Sequence, residues 1–224
     1  MRELIKIVKK SPKLMKIFAT IINNIPFNNV CRIQRENAYY NSGLMMNSYV
    51  SIKGKHNTIR VVANCSLKNT RLVITGNQNI IVIDENCHIN GGRILIDGDH
   101  GSIYIGKDTI LSGNSHLAAI EGKSIVIGEG CLFSSDVIIR TGDSHSIVEQ
   151  GTRHRINEAK DVTIGKHVWI GFGATVLKGV DILDNSIIGT EAVVTKSPRE
   201  SNCIVAGNPA KVIKRNIDWL AERI

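Results

Sequence analysis

The sequence predicts an all-β protein formed by a single parallel β-helix, in which short strands wind in coils around a narrow apolar interior. Three observations support this fold class: a 22-residue repeat, a six-residue repeat, and few aromatic residues. Phe, Trp and Tyr together make up 4% of the 224 residues, although 42% of the chain is hydrophobic. Aliphatic side chains suit a narrow interior, and the many Gly and Asn residues suit frequent tight turns.

The longer repeat covers residues 57–144, which divide into four consecutive blocks of 22 residues. The blocks start at Asn57, Asn79, Gly101 and Lys123. Three columns of equivalent residues are Ile59, Ile81, Ile103 and Ile125; then Val61, Ile83, Ile105 and Ile127; then Cys65, Cys87, Thr109 and Cys131. Such columns predict coils whose equivalent residues lie above one another, with the small residues of the third column at an inner corner.

The shorter repeat follows residue 161, where aliphatic residues recur every six positions. They are Ile164, Ile170, Val176, Ile182, Ile188 and Val194, and Val168, Ala174, Val180, Ser186 and Ala192 each stand four positions after an aliphatic one. The 180° step of a strand returns every sixth residue to one face, whereas the 100° step of an α-helix scatters them. Three hexapeptides make an 18-residue coil, so the 22-residue blocks are the same coil with extra residues at one corner.

The two ends of the chain differ from the repeats. Residues 1–34 are expected to form an amphipathic helical segment, with two short helices separated at Ser11-Pro12. This segment is interpreted as a cap or a subunit contact, and a peripheral membrane contact is the open alternative. The β-helix is expected over 35–215, with a loop at 146–161, and a short helix is expected over 216–224.

The formal charge of +8 favours an anionic ligand. No recognised nucleic-acid-binding motif accompanies this charge, so a nucleic-acid partner is not expected. No apolar run is long enough to span a membrane, which makes a cytoplasmic protein the expectation. The five cysteines contain no CxxC pair, so neither a disulfide framework nor a zinc knuckle is indicated.

The β-helix pattern is interrupted after Ile139. The next aliphatic position would be residue 145, which holds His145, and a polar segment follows until the pattern resumes at Val162. A polar excursion from a rigid scaffold is a common place for a binding site. The loop is therefore the first candidate for a functional site.

Several motifs around this loop resemble one protein family. They are Asp-Ser-His at 143–145, Arg155 with Asn157, Ile-Gly-Lys-His-Val-Trp-Ile-Gly at 164–171, and Val-Ala-Gly-Asn-Pro-Ala-Lys at 205–211. Together they resemble the hexapeptide-repeat acyltransferases, in the xenobiotic and capsular-polysaccharide O-acetyltransferase branch. The spacing of His145 to Trp169 is similar to that in polysialic acid O-acetyltransferases. The resemblance implies a left-handed β-helix, acetyl-CoA as co-substrate, a saccharide hydroxyl as acceptor, and a homotrimer with clefts between subunits.

The resemblance also implies roles for individual residues. His145 matches the general base, and Trp169 is expected to act in catalysis and in cofactor binding. The other expected cofactor-binding residues are Gly171, Gly173, Ala174, Gly189, Ala192, Lys196, Lys211 and Lys214. Asp143, Arg155 and Asn157 are expected to bind the acceptor. The group that orients His145 stays open between Asp143 and a backbone carbonyl.

Other functions remain to be distinguished. Within the acyltransferases, the acceptor could be the amine of an amino sugar or an antibiotic, because the fold does not select it. A zinc-dependent lyase resembling the γ-class carbonic anhydrases would use His116, His145 and His154, but their spacing does not place them on equivalent corners, so no metal is expected. A non-catalytic scaffold is the third alternative. His167 occupies an outward position and is expected to be simply exposed.

Overall fold

Among the described residues of the computed structural model, one short helix precedes the β-helix. The structure describes residues 11–23 and 28–224. Helix α1 spans Pro12–Asn23. The strands are β1 Asn29–Ile33, β2 Ala38–Asn41, β3 Leu44–Met46, β4 Ser48–Lys53, β5 Thr58–Val61, β6 Ser66–Lys68, β7 Arg71–Thr75, β8 Ile80–Ile83, β9 His88–Asn90, β10 Arg93–Asp97, β11 Ser102–Ile105, β12 Ile110–Gly113, β13 His116–Ile120, β14 Ser124–Ile127, β15 Leu132–Ser135, β16 Ile138–Arg140, β17 Val162–Ile164, β18 Trp169–Ile170, β19 Thr175–Val176, β20 Asp181–Ile182, β21 Ile187–Ile188, β22 Val193–Val194, β23 Cys203–Gly207 and β24 Ala210–Arg215.

Three sheets form the walls of the β-helix. Up to β22, successive strands along the chain belong to sheets A, B and C in turn. Sheet A has the order β1-β4-β7-β10-β13-β16-β19-β22, sheet B β2-β5-β8-β11-β14-β17-β20, and sheet C β3-β6-β9-β12-β15-β18-β21-β23-β24. All pairs are parallel except β23 with β24. Ile81 pairs in register with Ile59 and Ile103, as the 22-residue repeat predicted.

The interior consists of the predicted aliphatic columns, whose members are at most 2% exposed. The column of Cys65, Cys87, Thr109 and Cys131 is buried at one corner, also as predicted. Each of these side chains donates a hydrogen bond to a carbonyl of the following coil, for example Cys87 Sγ to Gly106 O at 3.1 Å and Thr109 Oγ1 to Gly128 O at 3.1 Å. The column therefore links successive coils as well as filling the corner.

The extra residues of the 22-residue coils lie at the turn from sheet A to sheet B, which we call the A–B corner. A ladder of asparagines satisfies the backbone there: Asn57 Nδ2 donates to Gly76 O at 2.7 Å, and Asn79 N donates to Asn57 Oδ1 at 3.0 Å. Both asparagines are 1% exposed. The loop that contains His145 leaves the β-helix at this same corner, since it connects β16 of sheet A to β17 of sheet B.

The N-terminal boundary differs from the prediction. Helix α1 confirms the second expected helix, whereas the first expected helix, in residues 1–10, lies outside the described residues. The β-helix begins at Asn29 rather than at residue 35, because β1 pairs in register with β4. Helix α1 packs on β3, where Asn23 bonds the backbone of Gly43 and Met45. Among the described residues, no helix is long and apolar enough to span a membrane.

The prediction of a helix over 216–224 is wrong. This segment, the C-terminal tail, has no regular secondary structure and runs back along the corner that precedes sheet C. Ile217 and Asn202 exchange two hydrogen bonds, of 3.0 and 3.2 Å, and Trp219 is buried against His167. These bonds to distant residues determine the path of the tail, and nine residues lack the length for a stable isolated helix.

Candidate active site

The loop between β16 and β17 is organised around one buried asparagine. Asn157 is 6% exposed, although most of its neighbours in the loop are exposed. Its Nδ2 donates to the backbone carbonyl of His145 and to Asp143 Oδ2, both at 2.8 Å. Its Oδ1 accepts from Ile147 N at 2.7 Å and from Arg155 Nε at 3.2 Å. Asn157 therefore fixes the backbone at and directly after His145, and it binds the side chain of Asp143 before it.

Two ion pairs attach the loop to the coils on either side. Lys178 donates to the carboxylate of Asp143 and, at 2.9 Å, to the carbonyl of Asn157. Arg155 donates to Glu121 Oε1 at 2.8 Å. The ammonium of Lys178 lowers the pKa of Asp143, and the guanidinium of Arg155 lowers the pKa of Glu121. Both carboxylates are therefore held in the charged form that the pairs require.

These contacts change the interpretation of Asn157 and Asp143, two of the three residues expected to bind the acceptor. The side chain of Asn157 has its donors and its acceptor engaged inside the loop, so we now interpret it as a positioning residue. Asp143 Oδ2 is likewise occupied by Lys178 and Asn157. Arg155 is partly exposed but pairs with Glu121.

His145 lies at the exposed end of the loop segment that Asn157 and the two ion pairs hold in place. The residue is exposed, and its backbone is fixed through the carbonyl that Asn157 binds. In the part of the chain that the structure describes, no hydrogen bond holds its imidazole. The main chain of His145 is thus fixed, and its side chain is open to an incoming group. What orients the imidazole of His145 stays a prediction.

Trp169 begins β18 on sheet C and faces outward, as the period of two predicted. It is 38% exposed, whereas the next residue, Ile170, is fully buried. The register across sheet C places Trp169 beside Ile187, then Ile204, then Lys214. Neighbouring strands lie about 4.8 Å apart, so this row extends about 14 Å from an indole, over two aliphatic side chains, to a cation.

His145 and Trp169 are not on the same wall of one chain. His145 lies at the A–B corner, and Trp169 lies on sheet C, so β17 of sheet B and its following turn separate them. The sheet B wall of the β-helix therefore lies between the two side chains. The structure therefore does not bring the two expected catalytic residues into one cleft within a single subunit.

The expected cofactor-binding residues divide by where they point. Lys211 and Lys214 lie exposed on β24 of sheet C, the wall that carries Trp169. Lys196 is exposed beyond the end of β22, on sheet A. The side chains of Ala174 and Ala192, which were also expected to contact the cofactor, are not available to it. Both are fully buried, because the fifth residue of each hexapeptide turns inward at a corner.

The three glycines of that set serve close packing between coils. A Cβ on Gly171 would lie 2.7 Å from Thr190 N, and one on Gly189 would lie 2.9 Å from Ala206 Cβ. Gly173 has a φ of +67°, a backbone conformation that residues other than Gly and Asn rarely adopt. Contact with a cofactor is therefore not needed to explain these glycines.

Basic side chains on sheet A lie near the same loop: Arg71, Arg93 and His116 form one row, which Ile138 continues, and Arg140 lies two residues further along β16. Arg71 pairs with Arg93, and Arg93 with His116, on adjacent strands. Arg140, at the end of β16, donates to Ser144 Oγ at 2.5 Å, directly before His145. Burial, together with Arg140 and Arg93, lowers the pKa of His116. The sheet A face thus carries positive charge up to the loop.

Sequence reasoning missed three contributors to the site: Lys178, Glu121 and Trp219. Lys178 and Glu121 are 35 and 34 positions from their partners, and nothing in a single sequence indicates such pairs. Trp219 offered a signal, since it is one of two tryptophans in a chain poor in aromatic residues. His167, expected to be simply exposed, stacks on Trp219 instead.

The zinc alternative would need His116, His145 and His154 close together. His116 lies on sheet A, while His145 and His154 lie in the loop. Within residues 11–23 and 28–224, no three His, Cys, Asp or Glu side chains are grouped to hold a metal ion.

Comparison with known proteins gives the class first. Residues 161–196 match the family described as bacterial transferase hexapeptide (six repeats). The solved polysialic acid O-acetyltransferase OatWY superposes with a TM-score of 0.77 at 31% identity, over 88% of this chain and 90% of that one. The polySia-specific acetyltransferase NeuO gives 0.75 and 30%, over 87% and 79%. The chain therefore belongs to the hexapeptide-repeat acyltransferase family, and its fold is the left-handed parallel β-helix that was predicted.

A narrower likeness follows from the curated sequences. Over 88 residues the chain is 41% identical to a polysialic acid O-acetyltransferase of Escherichia coli O1:K1 / APEC, which is 39% of this chain and 28% of the relative. The chain thus matches less than a third of the length of that curated relative. Within the family, the likeness is to enzymes named for O-acetylation of polysialic acid.

Proposed function

We propose that this protein transfers an acetyl group from acetyl-CoA to a hydroxyl of an anionic saccharide, with His145 as the general base. The observation that carries the proposal is the exposed His145, whose carbonyl is bound by the buried Asn157, which also holds Ile147 N and the side chain of Asp143. The likeness to polysialic acid O-acetyltransferases over most of the chain supports the reaction type. A cytoplasmic location, where acetyl-CoA is made, is part of the same proposal.

In the proposed mechanism the neutral imidazole of His145 accepts the proton of the acceptor hydroxyl as its oxygen attacks the thioester carbonyl. A bond forms between the acceptor oxygen and the carbonyl carbon, the carbon–sulfur bond breaks, and the departing thiolate of CoA takes up the proton from the imidazolium to give the free thiol. Such a base contributes about 10²- to 10⁴-fold to the rate. Because a thiolate leaves readily, direct transfer within a ternary complex requires no covalent enzyme intermediate.

The donor is proposed to lie along the row on sheet C that begins at Trp169. Ile187 and Ile204 offer aliphatic contacts for the pantetheine arm, and Lys214 and Lys211 offer charges for the phosphates. Lys196 lies beyond the end of β22 of sheet A, away from sheet C, so in this arrangement it would contact a donor held by a neighbouring subunit. The donor site is thus proposed to include Trp169, Lys211 and Lys214.

The acceptor is proposed to be anionic because of the basic row on sheet A. Arg71 and Arg93 lie in one row along the axis of the β-helix, and Arg140 lies beside the loop, two residues along β16 from the end of that row. A linear polyanion could contact several of these side chains at once. The relatives named for polysialic acid support this charge class without identifying the sugar.

A homotrimer is proposed because His145 and Trp169 lie on different walls. If each cleft forms between two neighbouring subunits, one supplies His145 and the other supplies Trp169. Closed cyclic symmetry produces three equivalent clefts of this kind. The group that orients the imidazole of His145 would then belong to the neighbouring subunit or to the bound substrates.

The first experiment measures release of free CoA thiol from acetyl-CoA with the wild type and His145→Ala. The acceptors are a polysialic acid oligomer, neutral oligosaccharides, an amino sugar and chloramphenicol. We expect turnover with the anionic oligomer, and in His145→Ala a loss of about 10² or more with CoA binding retained. Turnover with the amino sugar or chloramphenicol alone would replace the proposed acceptor by the N-acetyl or antibiotic alternative.

A wild type that neither turns over any acceptor nor binds CoA in calorimetry would overturn the transferase proposal. The zinc content of the purified protein then separates the remaining alternatives. About one zinc per subunit, with hydration of carbon dioxide, would indicate the lyase, and neither property would indicate a scaffold.

Helix α1 is further proposed to contact a membrane surface peripherally. Leu14, Ile17 and Ile21, at helical spacing, are 46%, 58% and 60% exposed, while Ala19 is buried. The first 23 residues contain six Lys and Arg residues and one Glu. A basic segment with an exposed apolar stripe suits anionic lipid. Co-sedimentation with anionic but not neutral vesicles, lost in the triple alanine variant of the stripe, is expected; equal binding by that variant would contradict it.

A further inference from the structure

The C-terminal tail places a second tryptophan against the proposed donor site. Trp219 is 7% exposed, although its tail neighbours Asp218 and Leu220 are exposed. Its ring stacks on the ring of His167, with the centroids 4.1 Å apart and the planes inclined by 6°. A side chain buried in this way in an otherwise exposed tail has a specific partner.

Polar contacts fix the same pair. Trp219 Nε1 donates to the carbonyl of His167 at 2.8 Å. In return, His167 Nε2 lies 3.1 Å from the carbonyl of Trp219 and 3.3 Å from Asp218 Oδ1. Both partners of His167 Nε2 are acceptors, so this nitrogen carries the proton that it donates. The tail is therefore held by a stack and by hydrogen bonds in both directions.

The other neighbour of Trp219 is Trp169. Their ring centroids lie 6.2 Å apart and the planes are inclined by 48°, within the range of favourable tilted aromatic pairs. Trp169 belongs to a strand of two residues and is 38% exposed. In sheet C, Trp169 is flanked by Leu132 and Ile187, and Trp219 adds an aromatic contact from the tail that helps to select its rotamer.

We propose that Trp219 is a positioning residue that fixes the indole of Trp169, so that the C-terminal tail forms one side of the donor site. The inference rests on the proposed function, in which Trp169 contacts the acetyl donor. A tail that served only to stabilise the fold would affect unfolding but not the environment of Trp169 or the binding of the donor.

The chain is well suited to a test because Trp169 and Trp219 are its two tryptophans. In Trp219→Phe and Trp219→Ala, all tryptophan fluorescence comes from Trp169. Leu220→Ala is the matched control, since Leu220 is the next tail residue and is 63% exposed. Circular dichroism and the molar mass in solution establish that each variant is folded and assembled.

Two kinds of measurement are made on each variant. The first is quenching of tryptophan emission by acrylamide without substrate. The second is the dissociation constant for CoA, with the KM for acetyl-CoA and kcat. In Trp219→Ala we expect Trp169 to be quenched more readily than in Trp219→Phe. We expect the dissociation constant and KM to rise about three- to tenfold, the effect of one aromatic contact.

The expected changes are smaller in Trp219→Phe, which keeps a ring, and absent in Leu220→Ala. A Trp219→Ala variant that unfolds more easily but binds CoA as the wild type does would overturn the inference and leave the tail as a fold anchor. Failure of the wild type itself to bind CoA would instead overturn the proposed function, and the inference with it.

Discussion

Asn157 concentrates the organisation of the candidate site in one side chain. Its amide bonds the backbone of His145 and Ile147 and the side chains of Asp143 and Arg155. An alanine cannot replace these bonds, and each buried group left unpaired costs about 1–3 kcal/mol.

Asn157→Ala is therefore expected to lower kcat at least about tenfold and to open the loop locally. Hydrogen exchange of the amides of residues 143–157 measures the opening directly. Ile156→Ala is the matched control, because Ile156 is the neighbouring residue and is 53% exposed. Equal activity and equal exchange in both variants would contradict the positioning role.

The ion pair of Asp143 and Lys178 predicts how the loop responds to acid. The pKa of Asp143 is lowered in the folded protein, so the pairing stabilises the loop above the ordinary carboxyl pKa of about 4 and is lost as the pH falls through the lowered value. In Lys178→Met the pKa of Asp143 should rise towards its ordinary value, and acid opening of the loop should begin at higher pH.

NMR titration of the Asp143 carboxyl carbon measures this shift. Lys160→Met is the control, since Lys160 has no ion pair with an acidic group in the described part of the chain. An Asp143 pKa that is equal in Lys178→Met and in the wild type would contradict the assigned cause.

At this scale the sequence predicts some residues well and others poorly. His145 was found because it replaces an aliphatic residue of the repeat, and Trp169 because a strand alternates its faces. The partners of the loop could not be found, because Lys178 and Glu121 come close only after the coils stack. The inward direction of Ala174 was available in the repeat, yet the prediction placed it outside.

At the scale of elements, the corners determine whether the coils can stack. Gly76 has a φ of +124°, and a Cβ there would lie 1.9 Å from the carbonyl oxygen of Gly98. Gly130 also has a positive φ, of +67°, but a Cβ there would meet nothing within 4 Å. Substitutions at these two positions therefore distinguish the cost of backbone strain from the cost of collision between coils.

Gly76→Ala is expected to lower the free energy of unfolding by about 3 kcal/mol or more, because strain and collision combine. Gly130→Ala is expected to lower it by about 1–2 kcal/mol, because only the left-handed conformation is penalised. Urea unfolding of both variants compares them. A loss in Gly130→Ala as large as that in Gly76→Ala would show that stacking of the glycine corners is not the dominant constraint.

Elements were predictable where they repeat and unpredictable where they do not. The 22-residue and six-residue periods predicted the strands, their faces and the corner with extra residues. The C-terminal tail was misjudged, because its conformation depends on Asn202 and His167, which lie outside the tail. Strand β1 was misjudged because its register is set by β4 and not by its own weak pattern.

At the scale of the whole molecule, the separation of His145 from Trp169 predicts complementation between subunits. Neither His145→Ala nor Trp169→Ala alone is expected to retain more than a small fraction of wild-type activity. When the two variants are co-expressed, mixed trimers contain clefts in which an intact His145 from one chain faces an intact Trp169 from its neighbour.

Random assembly of equal amounts makes about one cleft in four complete. Thiol release by the co-purified mixture should therefore recover to about a quarter of the wild-type rate per subunit. Mixing the separately purified variants, whose subunits have not exchanged, is the control. Activity of the co-expressed mixture no higher than that of this control would mean that each cleft takes both residues from one chain.

The antiparallel strand β24 affects how the winding of the β-helix stops. A coil with a free parallel edge is a template on which a second molecule could continue the winding, and end-to-end growth would produce a filament. In sheet C that edge is occupied by β24, which runs against the winding direction and is held by the bidentate pair of Arg215 with Glu200. The reversal of one strand thus terminates this wall of a structure that could otherwise polymerise.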